Sequence, residues 1–397
     1  MKRSIVKLSL GVALLAVAYS CSKDDSNTPD PQAATCDDGI QNGDETGVDC
    51  GGSACAPCAV DNILEGDVTT DVTLDSAIGY ELAGAYVVRS GASLTIPAGT
   101  TISATGGTSA YIAVERGAQI FINGTSSAPV VMTSGSASPA PGDWGGLVVC
   151  GDAPTNKGSN VTSEVADLTY GGSNSNDNSG SIRYLRVEYT GATFSNDKEF
   201  NGVSLFGVGA GTTFEYVQSY QGGDDGIEFF GGTVSGDYLV STGSGDDSID
   251  FADGWNGNGS YWYIKDGAKA GIEGSNNGDD GNAQPVTTTT LSNITVVGPV
   301  TEGALYFKEG GGSFTITNFY TDGIDLGVKV KDTDAEAAVR IENGDLSINP
   351  MQFDNPAAGF EVTDYIGANQ SFVVEGPTSG AGNGAAAPSW SDGWSRM

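Results

Sequence analysis

An acidic motif occurs twice in the middle of this 397-residue chain. Residues 223–229 read GDDGIEF and residues 245–251 read GDDSIDF, so the second copy follows the first by 22 residues. If both copies occupy equivalent places on neighbouring parallel strands, their carboxylates pair at about 4.8 Å. Like charges at that distance must share a proton, bind a cation or be well solvated. The predicted pairs are Asp224 with Asp246, Asp225 with Asp247, and Glu228 with Asp250.

Three chemical interpretations of this acidic cluster follow from the residue types. The first is a turn ladder, because Asn201, Asp225 and Asp247 each precede a small residue and then an apolar one, and Asp or Asn at turns bonds neighbouring backbone. The second is a calcium site, for which the candidate ligands are Asp224, Asp225, Asp246 and Asp247. The third is glycoside hydrolysis, since retaining glycosidases use carboxyl groups about 5 Å apart. Its candidate catalytic residues are Asp224, Asp225, Glu228, Asp246, Asp247 and Asp250. We favour the turn ladder, and therefore binding without catalysis.

The elements that would position these carboxylates are visible as a repeat. An apolar pair flanking one outward residue starts at Val203, Ile227, Ile249 and Ile272, in steps of 24, 22 and 23 residues. A second apolar column has a similar period and consists of Leu185, Val217, Leu239, Ile264, Ile294 and Ile316. Short alternating strands that recur at this spacing between Gly and Asp turns are typical of a solenoid. The predicted fold is all-β, a right-handed parallel β-helix with coils of about 22–24 residues over 60–397, with Ile227, Ile249 and Ile272 in one inward stack.

Aromatic residues near the acidic cluster suggest a ligand surface. Trp255, Tyr261, Trp262 and Tyr263 crowd a Gly/Asn loop, and Tyr184, Tyr216, Tyr238 and Tyr263 precede inward residues of the second column. We expect both groups to face outward, where aromatic rings stack on sugars while nearby Asp and Asn bind hydroxyls. Cross-strand packing is the alternative for the tyrosine column. Long loops at 155–180, 256–260, 274–290 and 332–338 would carry the function on a rigid scaffold.

Cysteine use predicts an exported protein. Four cysteines lie within 23 residues, namely Cys36, Cys50, Cys55 and Cys58. They predict two disulfides, and the sequence does not decide among the three possible pairings. The segment closely resembles a small Cys-rich module that precedes larger domains in bacterial surface proteins, and we assign it to 36–59. Cys150 ends an apolar strand and is expected to be a buried free thiol.

The first residues predict a lipid-anchored protein. A basic start, an apolar stretch from Leu8 to Ala18 and a small residue before Cys21 indicate a signal peptide at 1–20. The cleavage point resembles a bacterial lipobox, which implies that Cys21 carries the lipid that holds the chain to a membrane. An acidic tether follows at 21–35, and its start, SKDDS, is similar to the signal that exports Bacteroidota lipoproteins to the outer-membrane surface.

Composition narrows the range of partners. The chain has 60 glycines and no histidine. Its formal net charge of −33 disfavours binding of nucleic acid and, unless divalent cations intervene, of anionic polysaccharides. From the LTIPAGT strand at 94–100 through GDWGG at 142–146 to Trp390 and Trp394, the chain resembles uncharacterised Bacteroidota surface lipoproteins with a β-helix. We therefore expect a surface-exposed outer-membrane lipoprotein that binds glycan, with calcium as the one candidate cofactor. A β-helix glycoside hydrolase and a purely structural surface protein are the alternatives, and the sequence leaves the oligomeric state open.

Overall fold

A computed structural model describes residues 35–58, 61–195, 198–331, 334–355 and 371–397. The signal peptide, Cys21 and the tether therefore lie outside the described residues, apart from Thr35. The chain divides into two compact units, of which the first ends at Asp61 and the second runs from Asn62 to Met397.

The second unit consists almost entirely of strands, in agreement with its many β-branched residues and glycine turns. The strands before the acidic motif are β1 (Ile63–Val68), β2 (Val72–Thr73), β3 (Gly79–Val88), β4 (Ser93–Pro97), β5 (Thr101–Ala104), β6 (Tyr111–Val114), β7 (Gln119–Asn123), β8 (Val130–Ser134), β9 (Leu147–Cys150), β10 (Val161–Thr162), β11 (Thr169–Tyr170), β12 (Gly180–Glu188), β13 (Thr193–Ser195) and β14 (Lys198–Glu199).

The later strands alternate between short and long. They are β15 (Val203–Phe206), β16 (Thr213–Tyr220), β17 (Ile227–Phe230), β18 (Gly236–Thr242), β19 (Ile249–Ala252), β20 (Gly259–Lys265), β21 (Ile272–Ser275), β22 (Thr288–Val297), β23 (Leu305–Lys308), β24 (Ser313–Asp322), β25 (Val328–Val330), β26 (Leu346–Asp354) and β27 (Val373–Glu375). A single α-helix, α1 (Ala335–Asn343), and two 3-10 turns (Gly107–Ser109 and Ser389–Ser391) occur among the described residues.

The short strands form one continuous parallel column. Strands β9, β15, β17, β19, β21, β23 and β25 pair in that order, each with the next coil. Ile227 pairs with Ile249 and Ile249 with Ile272, and all three side chains are fully buried. The predicted parallel β-helix and its inward isoleucine stack are therefore confirmed.

The long strands form a second parallel column, and each bends once. In β16 the inward residues Phe214 and Val217 are three apart instead of two, because Tyr216 between them has a left-handed backbone with φ 56°. The observed inward stack is Leu185, Val217, Leu239, Trp262, Ile294 and Phe319. Our assignment of Ile264 and Ile316 to this stack was wrong, since Ile264 pairs with Ser241 and Ile316 with Leu291.

The residues at the bend form a ladder along the long-strand column. Tyr184, Tyr216, Tyr238 and Tyr261 all have positive φ, and their rings stack at centroid distances of 4.3, 4.4 and 4.8 Å. Tyr261, not Tyr263, is therefore the fourth member of the predicted tyrosine column. Cross-strand packing, the alternative that we considered, describes this ladder.

The last residues of the chain, 379–397, cover the tyrosine ladder, and we call them the C-terminal strap. Ala381 N–H bonds to Thr295 Oγ1 at 2.9 Å, and Arg186 Nη1 donates to the Trp394 carbonyl at 2.9 Å. Trp394 is fully buried, and its ring lies edge-on to those of Tyr184 and Tyr216, 6.0 Å from each. The strap therefore binds several successive coils to one another.

The first unit contains the two predicted disulfides, which join Cys36 to Cys55 and Cys50 to Cys58. Its acidic side chains hold turns: the Asp49 carboxylate accepts the amides of Asp38 and Gly39 at 2.8 and 2.9 Å. In the second unit, Cys150 is the buried free thiol that the sequence predicts, and burial raises its pKa to about 12.

Candidate functional site

Three carboxylates form a row on the short-strand column. Glu228, Asp250 and Glu273 lie on β17, β19 and β21, and their backbones pair directly from coil to coil. This register confirms the predicted pairing of Glu228 with Asp250. The three residues alternate with core residues along their strands, so their side chains point away from the β-helix interior. They are nevertheless only 8, 7 and 5% exposed. The row therefore points outward, but another part of the chain covers it.

The cover is the loop between β9 and β12, residues 151–179, which includes the β10–β11 hairpin. Thr155 fixes its start by donating from Oγ1 to the Asp253 carbonyl at 2.9 Å. Its apolar residues pack on the outer face of the column, where the Tyr170 ring lies 5.1 Å from that of Phe206 and Phe206 stacks on Phe230 at 4.1 Å. One of the long loops that we expected to carry function therefore lies directly over the acidic row.

A cavity of about 340 Å³ remains between the hairpin and the row, and we call it the acidic groove. Its volume lies within the range of small-ligand sites. Lys157 stands at its edge, 3.8 Å from Asp253 and 2.9 Å from Asp279. The groove is lined by Lys157, Val161, Thr162, Glu164, Tyr170, Phe206, Glu228, Phe230, Asp250, Ala252, Asp253, Glu273, Ser275, Gly278 and Glu309.

The electrostatics of the groove are those of crowded carboxylates with little water. Burial, and next the neighbouring Asp250 carboxylate, raise the pKa of Glu228 well above its usual range, although the Asn201 amide that donates to Glu228 at 2.6 Å acts the other way. Burial and then Glu273 likewise raise the pKa of Asp250. Burial raises the pKa of Asp253 to about 6. Protons are therefore held here more tightly than by ordinary acids.

The turns before β17 and β19 carry the ladder that we favoured, whereas Asn201, before β15, donates to the side chains of Ser204 and Glu228 instead. Asp225 Oδ1 accepts the Asp247 amide at 2.7 Å, and Asp247 Oδ1 accepts the Ala270 amide at 2.5 Å. Each carboxylate therefore bonds the backbone of the next coil, as a turn ladder requires. Burial, then Glu273, raises the pKa of Asp247 to about 9.

The four residues proposed as calcium ligands do not all come together. Carboxylate oxygens of Asp224, Asp225 and Asp246 lie within 4.8 Å of one another, whereas Asp247 instead groups with Glu273. Lys269 lies 2.5 Å from Asp246 and supplies positive charge there. Burial, and then Asp246, raise the pKa of Asp224 to about 7.

The aromatic residues proposed as a sugar-binding surface belong to the core. Trp255 and Trp262 are fully buried and donate their indole N–H groups to the carbonyls of Val234 and Gly236 at 2.9 and 2.8 Å. Trp255 turns inward because its ring packs on the core phenylalanines of two coils. The expected outward orientation is therefore wrong for both tryptophans.

The two tyrosines of this group are also covered. Tyr263 is 2% exposed and donates its hydroxyl to the Ala385 carbonyl of the C-terminal strap at 2.9 Å. Tyr261 is half-buried within the tyrosine ladder. Neither tyrosine therefore presents the open aromatic face that we expected.

Several groove residues were not predicted from the sequence. Glu164 and Tyr170 lie on the hairpin, and Lys157 and Asp253 meet across its base. The one available signal was the long interruption of the coil period between Cys150 and Gly180. It located the loop but not the side chains that the loop contributes.

The comparisons with known proteins agree with this architecture. A family described as the pectate-lyase-like β-helix domain matches residues 66–395. The chain belongs to this family. No curated protein and no solved structure matches it. The match covers the short-strand column, the loop over it and the acidic groove, so all of the candidate site lies within the pectate-lyase-like β-helix.

In this pectate-lyase-like β-helix the lysine beside the acidic row is Lys308. Burial acts to lower its pKa, but Glu273 at 2.7 Å and the acids around it outweigh burial and raise it. Lys308 therefore stays charged and neutralises one carboxylate of the row. Separately, none of the described helices has the length and apolar character needed to cross a membrane.

Proposed function

We propose that this protein is a cell-surface glycan-binding protein that holds its ligand in the acidic groove. The observation that carries the proposal is the cavity itself, where Tyr170 and Phe230 lie beside Glu164 and Asp253. Aromatic rings pack against the apolar faces of sugars, and carboxylates accept hydrogen bonds from sugar hydroxyls. A β-helix also offers a long, rigid surface for an extended ligand.

The charge of the groove favours a neutral or cationic glycan. One lysine, Lys157, is set against six acids in its lining, namely Glu164, Glu228, Asp250, Asp253, Glu273 and Glu309. Even with some of these carboxyls protonated, a uronate would meet like charge at short range. We therefore expect hexose or amino-sugar polymers to bind and polyuronates to be rejected.

The test is a glycan screen of the protein against neutral, amino-sugar and uronate oligosaccharides at low ionic strength, in EDTA so that no divalent cation offsets the charge of the groove. Binding of neutral or amino-sugar ligands, with uronates about tenfold weaker or worse, is expected. Because charges in solution are screened by salt, the difference should shrink at high salt. Equal binding of uronates, or no glycan binding at all, would contradict the proposal.

Hydrolysis is the second candidate, because Glu228 and Asp250 are neighbouring carboxyls, and a raised pKa is what the general acid of a glycosidase needs. We place it second because catalysis needs Glu228 and Asp250 themselves to reach the ligand, and both are more than nine-tenths covered. Binding can also use the less buried Thr162 and Glu164 of the lining. A reducing-end assay on every ligand that binds decides the matter. Release of reducing sugar that Asp250→Asn abolishes would make the protein a glycosidase.

We further propose attachment to the outer membrane through Cys21, on the lipobox-like pattern of the first 21 residues. The variant Cys21→Ala should move from the membrane fraction to the soluble fraction. The surface position is tested by adding protease to intact cells that produce the wild-type protein. A Cys21→Ala variant that stays with membranes after a salt wash would contradict the anchor.

A further inference from the structure

We propose that Asp225, Glu228 and Asp250 bind one divalent cation of the calcium type, which links two successive coils at the wall of the acidic groove. Each residue offers a carboxylate oxygen, and the three oxygens lie within 4.8 Å of one another. Calcium binds oxygen at about 2.3–2.6 Å, so oxygens around one ion are separated by no more than about 5 Å. The three carboxylates therefore lie where one ion can reach them all.

The buried carboxyls of this cluster need either protons or a counter-ion. The three residues are 7, 8 and 7% exposed. Among the described residues, no lysine or arginine forms an ion pair with any of them, since the nearby Lys308 pairs with Glu273. Buried carboxylates are normally paired, protonated or bound to metal.

An independent observation points to a missing partner. Asp250 Oδ1 is buried and accepts no hydrogen bond from the described residues, whereas Asp225 Oδ1 accepts the Asp247 amide and Glu228 Oε2 accepts the Asn201 amide. Buried polar atoms nearly always have a partner. A cation bound between the carboxylates would give Asp250 Oδ1 that partner.

The donor set selects the kind of ion. Three carboxylates and no nitrogen or sulfur suit calcium, which takes six to eight oxygen ligands and completes its shell with water or carbonyls. The cluster formed by Asp224 and Asp246 differs, because Lys269 already neutralises part of its charge. The proposed site does not depend on glycan binding.

The experiment measures calcium binding to the protein after dialysis against EDTA, by titration calorimetry and by the melting temperature at pH 7.5. We expect saturable binding and a higher melting temperature with calcium, and a smaller effect with magnesium. The double variant Glu228→Gln, Asp250→Asn should lose this binding by about tenfold or more, because amides keep the shape but not the charge. The matched double variant Asp279→Asn, Asp280→Asn, on an exposed acidic loop, should keep it.

A second variant tests the proposal if the first fails to fold. Asn201→Asp replaces the amide that donates to Glu228 with a fourth carboxylate. It should destabilise the calcium-free protein, and calcium should restore the melting temperature and bind more tightly than in the wild type. The proposal is overturned if neither calcium nor magnesium changes the wild-type melting temperature, or if Asn201→Asp is destabilised without rescue. Calcium binding that survives Glu228→Gln, Asp250→Asn would also overturn it.

Discussion

Glu228 and Asp250 lie opposite each other on adjacent parallel strands, and both are buried on the side of the column that faces away from the core. Fully apolar residues flank each of them along its strand. The β-helix therefore holds two acids at strand spacing under its own loop, where neither is solvated like a surface residue. This arrangement distinguishes the candidate site from the acidic surface elsewhere on the protein.

The inward isoleucine stack should be a main source of stability. Ile249 is fully buried between Ile227 and Ile272, so Ile249→Ala removes apolar contacts and leaves a cavity. We expect a loss of about 2–5 kcal/mol in the free energy of unfolding, measured by urea denaturation. Val339→Ala, on the exposed face of α1, is the control and should cost less than about 1 kcal/mol. Equal losses in the two variants would contradict the assigned core.

The C-terminal strap should also contribute to stability. Trp394 is fully buried against the tyrosine ladder, so Trp394→Ala should cost about 3–5 kcal/mol and make the strap more sensitive to protease. The half-buried Trp390 provides a comparison, and Trp390→Ala should cost less. A Trp394→Ala variant as stable and as protease-resistant as the wild type would show that the strap does not hold the coils together.

The buried acids predict that stability falls as pH rises when divalent cations are absent. The folded-state pKa is about 7 for Asp224 and about 9 for Asp247, compared with about 4 for an unfolded aspartate. Between pH 4 and 9 the folded protein therefore keeps protons that the unfolded chain has released. The stabilisation of the folded state by these protons is complete below about pH 4 and is lost progressively as the pH rises to about 9. Melting temperatures measured in EDTA should decline across this range.

A matched variant separates this effect from general charge repulsion. Asp247→Asn keeps the acceptor for the Ala270 amide but does not titrate, so its decline above about pH 7 should be smaller than that of the wild type. A wild-type melting temperature that rises or stays constant from pH 4 to 9 would contradict the assigned pKa shifts.

The sequence predicted the register of the acidic row because Glu228 and Asp250 belong to a repeat of nearly constant period. In a parallel β-helix a constant period fixes which residues become neighbours. The cover over the row was not predictable in the same way. The hairpin contributes Glu164 and Tyr170 through packing that occurs once, so no second copy in the chain reveals it.

The aromatic residues were misplaced for a different physical reason. Simple in-and-out alternation fails at Tyr261, where a positive φ turns the strand and directs Trp262 into the core. A tyrosine does not signal such a conformation. The asparagines at the same place in later coils, Asn293 and Asn318, do signal it, because asparagine tolerates positive φ more readily.

The most direct test of the central proposal is to fill the acidic groove and measure glycan affinity. Thr162 is an exposed residue of the hairpin that lines the groove, and Thr290 is an exposed strand residue outside that lining. We expect Thr162→Trp to weaken binding of the preferred glycan by about tenfold or more, about 1.4 kcal/mol, while Thr290→Trp binds like the wild type and both variants melt normally. Undiminished glycan binding by a correctly folded Thr162→Trp protein would contradict the assignment of the groove as the binding site.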